Sequence, residues 1–169
     1  LLRQVLPALF AKVRRGGWAT EFKSTVPSGY HQGDYYSAML DGSDYFHSTK
    51  VQCPGCLQRT DSNGQVHYHH TVVSATLVKA GSHRGMPLDV EEVRNSDGSD
   101  KQDCELNAAK RLIARVRQEH PQLPLIIGGD ALYCHEPFIA QLRELRLHHV
   151  LVCKPLSHLE LYAWGEELE

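Results

Sequence analysis

The stretch Pro124–Lys154 limits the fold more tightly than any other part of the chain, because it spells a strand, a helix and a second strand in close succession. Its apolar run Leu125-Ile126-Ile127 is too short for a helix and is bounded by Pro124 and Gly128-Gly129, the pattern of a buried strand. Asp130 closes it. Pro137 suits the first turn of a helix, and Phe138, Ile139, Leu142 and Leu145 then recur at helical spacing along one face. A second apolar run, Val150–Cys153, follows at once. Strand, crossover helix and strand make neighbouring parallel strands, and ligands of open α/β sheets gather at the carboxyl edge. Asp130 is expected on that edge. An aspartate at a strand end also serves ordinary turn chemistry, so the position alone leaves both readings open.

The remaining elements follow from periodicity. Leu2, Val5, Leu6, Leu9, Phe10 and Val13 predict an amphipathic helix over Leu1–Arg15, stopped by Gly16-Gly17 and weakened in its first turn by Pro7. Arg14-Arg15 reads as a solvated helix end that complements the macrodipole, with phosphate contact as the alternative. Trp18 to Gly33 reads as loop. Tyr35–Asp41 is a short strand that again closes on a carboxylate, and Val66–Lys79 is a long one after the Asp61–Gly64 turn. These two are expected to pair antiparallel. Met86–Val90 is a third strand and Arg94–Asp100 a polar loop. The next helix is capped by Ser99 or Asp100, carries its apolar stripe on Leu106, Ala109, Leu112, Ile113 and Val116, and ends at Glu119-His120-Pro121. The expected order is β-β-β-α-β-α-β, an α/β fold with a mixed sheet flanked by helices. Its parts are an N-terminal helix and linker over 1–33, a core over 34–156 and the start of a following segment over 157–169.

At 169 residues the chain has the size of one ordinary domain and buries a core without staples. The 18 basic and 20 acidic side chains nearly balance, so no global polybasic signal calls for nucleic acid, although a local patch would suffice. Five cysteines, an odd number, with no secretory leader and no apolar run near membrane length, point to a reducing cytosol without disulfides. The start at Leu1 rather than Met leads us to expect a piece of a longer polypeptide.

Two clusters carry chemistry. Asp41 and Asp130 lie far apart in sequence, yet both close strands that adjacent positions in a sheet would bring together. Two carboxylates brought close repel unless cations bridge them, and hard divalent ions such as Mg²⁺ do so through oxygen ligands. Such a pair suits an in-line phosphoryl displacement, and the bland alternative is two unrelated turn aspartates. The second cluster is Cys53-Pro54-Gly55-Cys56, a tight turn that lets two thiolates bite one soft ion, followed by His67, His69 and His70. A two-Cys, two-His finger fails on histidine spacing. Strand alternation puts His67 and His69 on one face and His70 on the other, and a mixed structural Zn²⁺ site using Cys53, Cys56 and His70, completed by His47 or Cys104, is open. The alternative is an empty, reduced turn.

Asp41-Gly42-Ser43-Asp44-Tyr45-Phe46-His47-Ser48-Thr49-Lys50, the Cys-x-x-Cys after it, Tyr68-His69-His70, Asp103-Cys104-Glu105-x-Asn107-Ala108-Ala109-Lys110-Arg111 and the strand ending in Asp130 together resemble the catalytic domain of IS4-like DDE transposases. The resemblance runs from about Tyr35 to about Lys154. It implies a ribonuclease H-like fold, with Asp41 and Asp130 as the first two acidic residues of a catalytic triad. It also implies cleavage and strand transfer of DNA with Mg²⁺ or Mn²⁺, with transposon ends and target DNA as partners. Related transposases are similar in carrying Cys-x-x-Cys followed by Tyr-x-His. A bacterial, cytoplasmic protein, nucleoid-associated when on DNA, is implied, and a homodimer is compatible.

One departure matters. The third acid of such transposases is a glutamate on a later helix, in a Tyr-x-x-Arg-x-x-x-Glu context. Nothing like it follows Lys154, and Glu160, Glu166, Glu167 and Glu169 lack the spacing. This chain alone is therefore expected to be inert on DNA. The rival reading is a zinc-stabilised, non-catalytic nucleic-acid- or protein-binding module, and a third is a plain metal-dependent nuclease. Glu105 and Asn107 are candidates to stand behind the metal site, Lys154 to contact a phosphate and His135 to begin a helix, whereas Cys134 and Cys153 read as small core residues.

Overall fold

The computed structural model describes residues 2–27, 29, 32–94 and 104–166. Helix α1 spans Leu2–Arg15 with Pro7 inside it, and its Phe10 is fully buried against the ring of His120. The segment read as loop instead forms a 3-10 turn, Trp18–Phe22, and a strand β1, Lys23–Val26. Tertiary pairing overrides its loop-like composition: β1 runs antiparallel to the start of β2, which spans Gly33–Ser48.

Strand β2 is far longer than Tyr35–Asp41 and does not stop at the aspartate. The Gly-Ser-Asp run that resembles a turn stays extended because β4, Val66–Val78, pairs with it, in a ladder that runs from Ser37↔Val78 to Ser48↔Tyr68. One bulge, between Asp44 and Phe46, leaves Tyr45 without a pairing partner. Strand β3, Leu57–Thr60, which periodicity missed, pairs with the first part of β4, and β5, Gly85–Glu92, with the rest of the same edge.

Helix α2 spans Glu105–Glu119, with Cys104 as N-cap. Ser99 and Asp100, the expected caps, lie outside the described residues. Strand β6, Leu125–Gly129, helix α3, Glu136–Glu144, and strand β7, His148–Leu151, realise the strand–helix–strand unit with parallel strands. The last strand starts two residues before Val150 because its register with β6, from Ile126↔His148, sets its bounds rather than its own hydropathy. A second 3-10 turn, Pro155–Ser157, leads into α4, Leu159–Glu166.

The result is a mixed α/β fold with a seven-stranded sheet, ordered β3-β4-β2-β6-β7 with β1 on β2 and β5 on β4. Tyr36, Ala38 and Leu40 of β2 and Val73, Ala75 and Leu77 of β4 alternate onto the buried face, where Leu112, Ile113, Phe138 and Leu142 of the helices join one core. Burying a side chain such as Phe138 contributes about 1.5–3 kcal/mol. Among the described residues no helix is long and apolar enough to cross a membrane.

Charge as well as apolar surface fastens α2. Asp89 and Glu91 on β5 are 1% and 0% exposed, and Arg115 reaches both, at 2.6 Å and 2.5 Å, while donating to the Val90 carbonyl. One helical turn earlier Arg111 also meets Glu91, at 3.1 Å. Burial alone would lower the pKa of Arg115, but hydrogen bonds and charge from the two carboxylates raise it on balance. Removing one partner strands the others without water. Arg115→Ala is therefore expected to lose about 3–5 kcal/mol in urea unfolding. A loss below about 1 kcal/mol, the size of a surface pair, would show that α2 does not depend on this clamp.

Candidate functional site

The turn between β2 and β3 gathers side chains that could hold a soft metal ion. A hydrogen bond from the Cys56 amide to the Cys53 carbonyl closes the Cys-Pro-Gly-Cys turn, and the Cys53 amide donates to the Cys56 sulfur at 3.2 Å. The thiol sulfurs stand 3.6 Å apart, and Nε2 of His70 lies 3.2 Å from Cys53 Sγ and 3.4 Å from Cys56 Sγ. A tetrahedron with metal–sulfur bonds of about 2.3 Å and a metal–nitrogen bond of about 2.0 Å separates sulfurs by about 3.8 Å and sulfur from nitrogen by about 3.5 Å. The triangle is thus close to the base of a zinc tetrahedron, and the three residues could hold such an ion.

The surroundings orient the imidazole. Nδ1 of His70 is buried without a hydrogen-bond partner and points toward Glu92, whose Oε1 is 3.7 Å away. A carboxylate behind a metal-bound histidine is the usual arrangement that aims the ring. The bulge presents Tyr45 to this site: its ring stacks on His70, and its hydroxyl donates to Glu92 at 2.9 Å. Burial, then the Glu92 hydrogen bond and charge, push the Tyr45 pKa up to about 12, so the phenol stays a neutral donor.

Neither expected fourth ligand joins the group. His47 turns to His67, at 2.9 Å between Nε2 and Nδ1, and His67 in turn meets Asp61 at 3.2 Å. Cys104 lines a cleft with Leu57, His69, Thr71, Glu105 and Leu132, among residues that alternate away from His70. Among the described residues the centre has three ligands, leaving one tetrahedral position for an outside donor.

The second candidate lies where β2 and β6 part. Their parallel register runs from Tyr36↔Leu125 to Met39↔Gly128, and Asp41 and Asp130 each stand two residues beyond that last pair. Alternation puts Asp41 on the face of Met39, whose sulfur occupies the space a Cβ at Gly128 would need; Asp130 follows the last residue of β6 and opens the turn after it. Both aspartates are exposed. Asp130 Oδ1 also accepts the Leu132 amide at 2.9 Å, so the residue keeps its ordinary turn duty as well.

Glu105, in the first turn of α2, completes a negative edge. Its carboxylate fills the space a side chain at Gly42 would take, which explains a glycine inside a long strand. Burial first, then the charges of Asp130, Asp41 and Asp44, raise its pKa. Tyr133, whose ring covers Gly129, feels the same field: burial, then Glu105, Asp130 and Asp41, push its pKa up. Its hydroxyl is buried and has no hydrogen-bond partner. Among the described residues neither Lys nor Arg forms an ion pair with Asp41, Glu105 or Asp130. The three carboxylates are nonetheless looser than the Cys/His centre, for they do not all come within 4.8 Å of one another.

The other candidates are placed as follows. Asn107 and Lys154 are exposed, and His135 is the N-cap of α3. Glu160 is exposed on α4, while Asp103, Glu167 and Glu169 lie outside the described residues. Cys134 is buried with the core, as expected, and Cys153 is half-buried; with His158 they also form a second group of mutually close thiol and imidazole groups that could hold a metal ion. The signal for that group was weak, because its members are spread over three segments and follow no short spacing motif. Comparison of the chain with known protein families, with curated proteins and with solved structures returns no match.

Two outcomes test this geometry. Stripping metal with a chelator, or making Cys56→Ser, is expected to lower the melting temperature by at least about 5 °C, since loss of a ligand that binds only the folded state withdraws its linkage free energy. An unchanged melting curve on stripping would mean the turn is empty. For Glu105 the raised pKa means that the folded state binds the proton more tightly than the unfolded chain does, so stability falls as pH rises through the carboxylate range. Glu105→Gln should therefore melt higher than wild type at neutral pH in chelator, with the gain vanishing below about pH 4. A lower melting temperature at neutral pH would contradict the assignment.

Proposed function

We propose that the chain is the catalytic core of a DDE-type DNA transposase, acting on phosphodiesters at an acidic edge formed by Asp41 and Asp130. The observation that supports it best is the parallel register of β2 and β6, whose last pair, Met39↔Gly128, lies two residues before each aspartate. A ribonuclease H-like reading of the fold draws support from the same topology, with β2, β4 and β5 antiparallel and β6 and β7 parallel to β2. The residues at this edge fit a hard divalent cation: exposed carboxylate oxygens, a glutamate with raised pKa, no basic partner among the described residues and an unpartnered tyrosine hydroxyl.

Bound there, Mg²⁺ or Mn²⁺ would activate an attacking water or 3′-hydroxyl and offset charge on the leaving oxygen. The protein's own contributions are positional. Asp41 is held by pairing with Ser74 on β4, and Asp130 by the turn it caps. Glu105 adds negative charge from the helix side and strengthens cation binding without a place in the aspartate pair. Tyr133 stays protonated and offers a donor to an oxygen at this edge. The Cys53, Cys56 and His70 centre takes the structural part, a zinc staple on the β2–β3 turn.

The zinc-stabilised binding module is the second reading, favoured by the tighter geometry of the Cys/His centre than of the acids. Cleavage separates the two. In the full-length protein, Asp41→Asn and Asp130→Asn are each expected to reduce Mn²⁺-dependent strand cleavage about a hundredfold or more, the size of losing a few kcal/mol of charge stabilisation, while DNA binding persists. Undiminished cleavage by either variant would remove the enzymatic reading.

A further inference from the structure

We propose that Cys134, Cys153 and His158 form a second zinc site, which fastens the chain beyond β7 to the loop that follows Asp130. The two thiol sulfurs and a ring nitrogen of His158 all lie within 4.8 Å of one another, although the residues come from three separate places. Cys134 sits in the loop between β6 and α3, Cys153 follows the end of β7, and His158 caps the 3-10 turn before α4.

The histidine supplies the decisive detail. Its Nε2–H donates to the Cys134 carbonyl at 2.9 Å, which leaves the lone pair on Nδ1, and Nδ1 is buried with no hydrogen-bond partner. Metal-bound histidines commonly use one nitrogen for a backbone carbonyl and the other for the metal. A buried acceptor without a donor is costly, and coordination would recover that cost. A Cys134–Cys153 disulfide would leave that atom orphaned.

Two thiolates and an imidazole select a soft, tetrahedral ion, zinc before magnesium or calcium. On binding, each thiol releases its proton to solvent, the ion accepts two sulfur lone pairs and one nitrogen lone pair, and water fills the fourth position. Backbone pairing already brings the segments together, for the Val152 amide donates to the Gly129 carbonyl at 3.1 Å. The ion would lock that contact beside Asp130. Nothing in the proposal depends on phosphodiester cleavage.

Zinc content decides it. Protein purified without chelator should carry about two zinc ions per chain, one for each Cys/His group. Cys153→Ser and His158→Gln should each lower this to about one, Cys53→Ser should do the same independently, and Cys53→Ser with Cys153→Ser should leave about none. Retention of full zinc by Cys153→Ser and His158→Gln would overturn the site, as would an intact-mass deficit showing Cys134 and Cys153 joined as a disulfide. Should the variants fail to fold, cobalt titration of stripped wild-type protein gives the answer. Thiolate-to-cobalt absorption that saturates near two equivalents supports the second site, and saturation near one refutes it.

Discussion

Strand β2 is bonded along both edges over Tyr36–Met39, and the acidic edge and the Cys53–Cys56 turn take their positions from it. Tyr36 pairs with Lys23 on one side and with Leu125 on the other, so β1 and then β4 follow one edge while β6 follows the opposite one. A strand held on both sides cannot slip by one residue without turning its apolar set out of the core. That fixes which face Asp41 occupies. It also keeps the Gly42-Ser43-Asp44 run extended, so that Gly42 receives the Glu105 carboxylate and the bulge at Tyr45 places a ring over His70.

Around this strand the molecule uses charge in two opposite ways. Between β5 and α2 the buried carboxylates are matched, with Arg115 and Arg111 answering Asp89 and Glu91, and the match sets the height and rotation of α2 on the sheet. At the N-terminal end of the same helix Glu105 joins Asp41 and Asp130 without a basic partner among the described residues. One end of α2 is matched by arginines and the other, among the described residues, has no basic partner. Such unbalanced ionisable groups are a recurring mark of functional sites.

The soft ligands follow a different logic. Cys53 and Cys56 are bound to meet because a four-residue turn joins them, and His70 meets them because β2, with its bulge, and β3 bring the turn back over β4. The second group has no such local cause. Cys134, Cys153 and His158 converge only because β6 and β7 pair in parallel and the chain then folds back over the loop after Asp130.

The residues alone determined the strand–helix–strand unit at Pro124–Lys154, the amphipathic stripes of α1 and α2, and the Cys-x-x-Cys bite, since each is written in spacing over a few positions. Alternation on β4 likewise set His70 on the other face from His67 and His69, because the period of two belongs to any strand, but which face meets the cysteines was left to the fold. Tertiary structure decided what spacing cannot encode: the strand at Lys23–Val26, the continuation of β2 past Asp41, the engagement of His47 by His67, and the gathering of Cys134, Cys153 and His158. In each case a partner distant in the chain supplied the hydrogen bond or the neighbour, and local propensity carries no record of partners that only the folded sheet brings near.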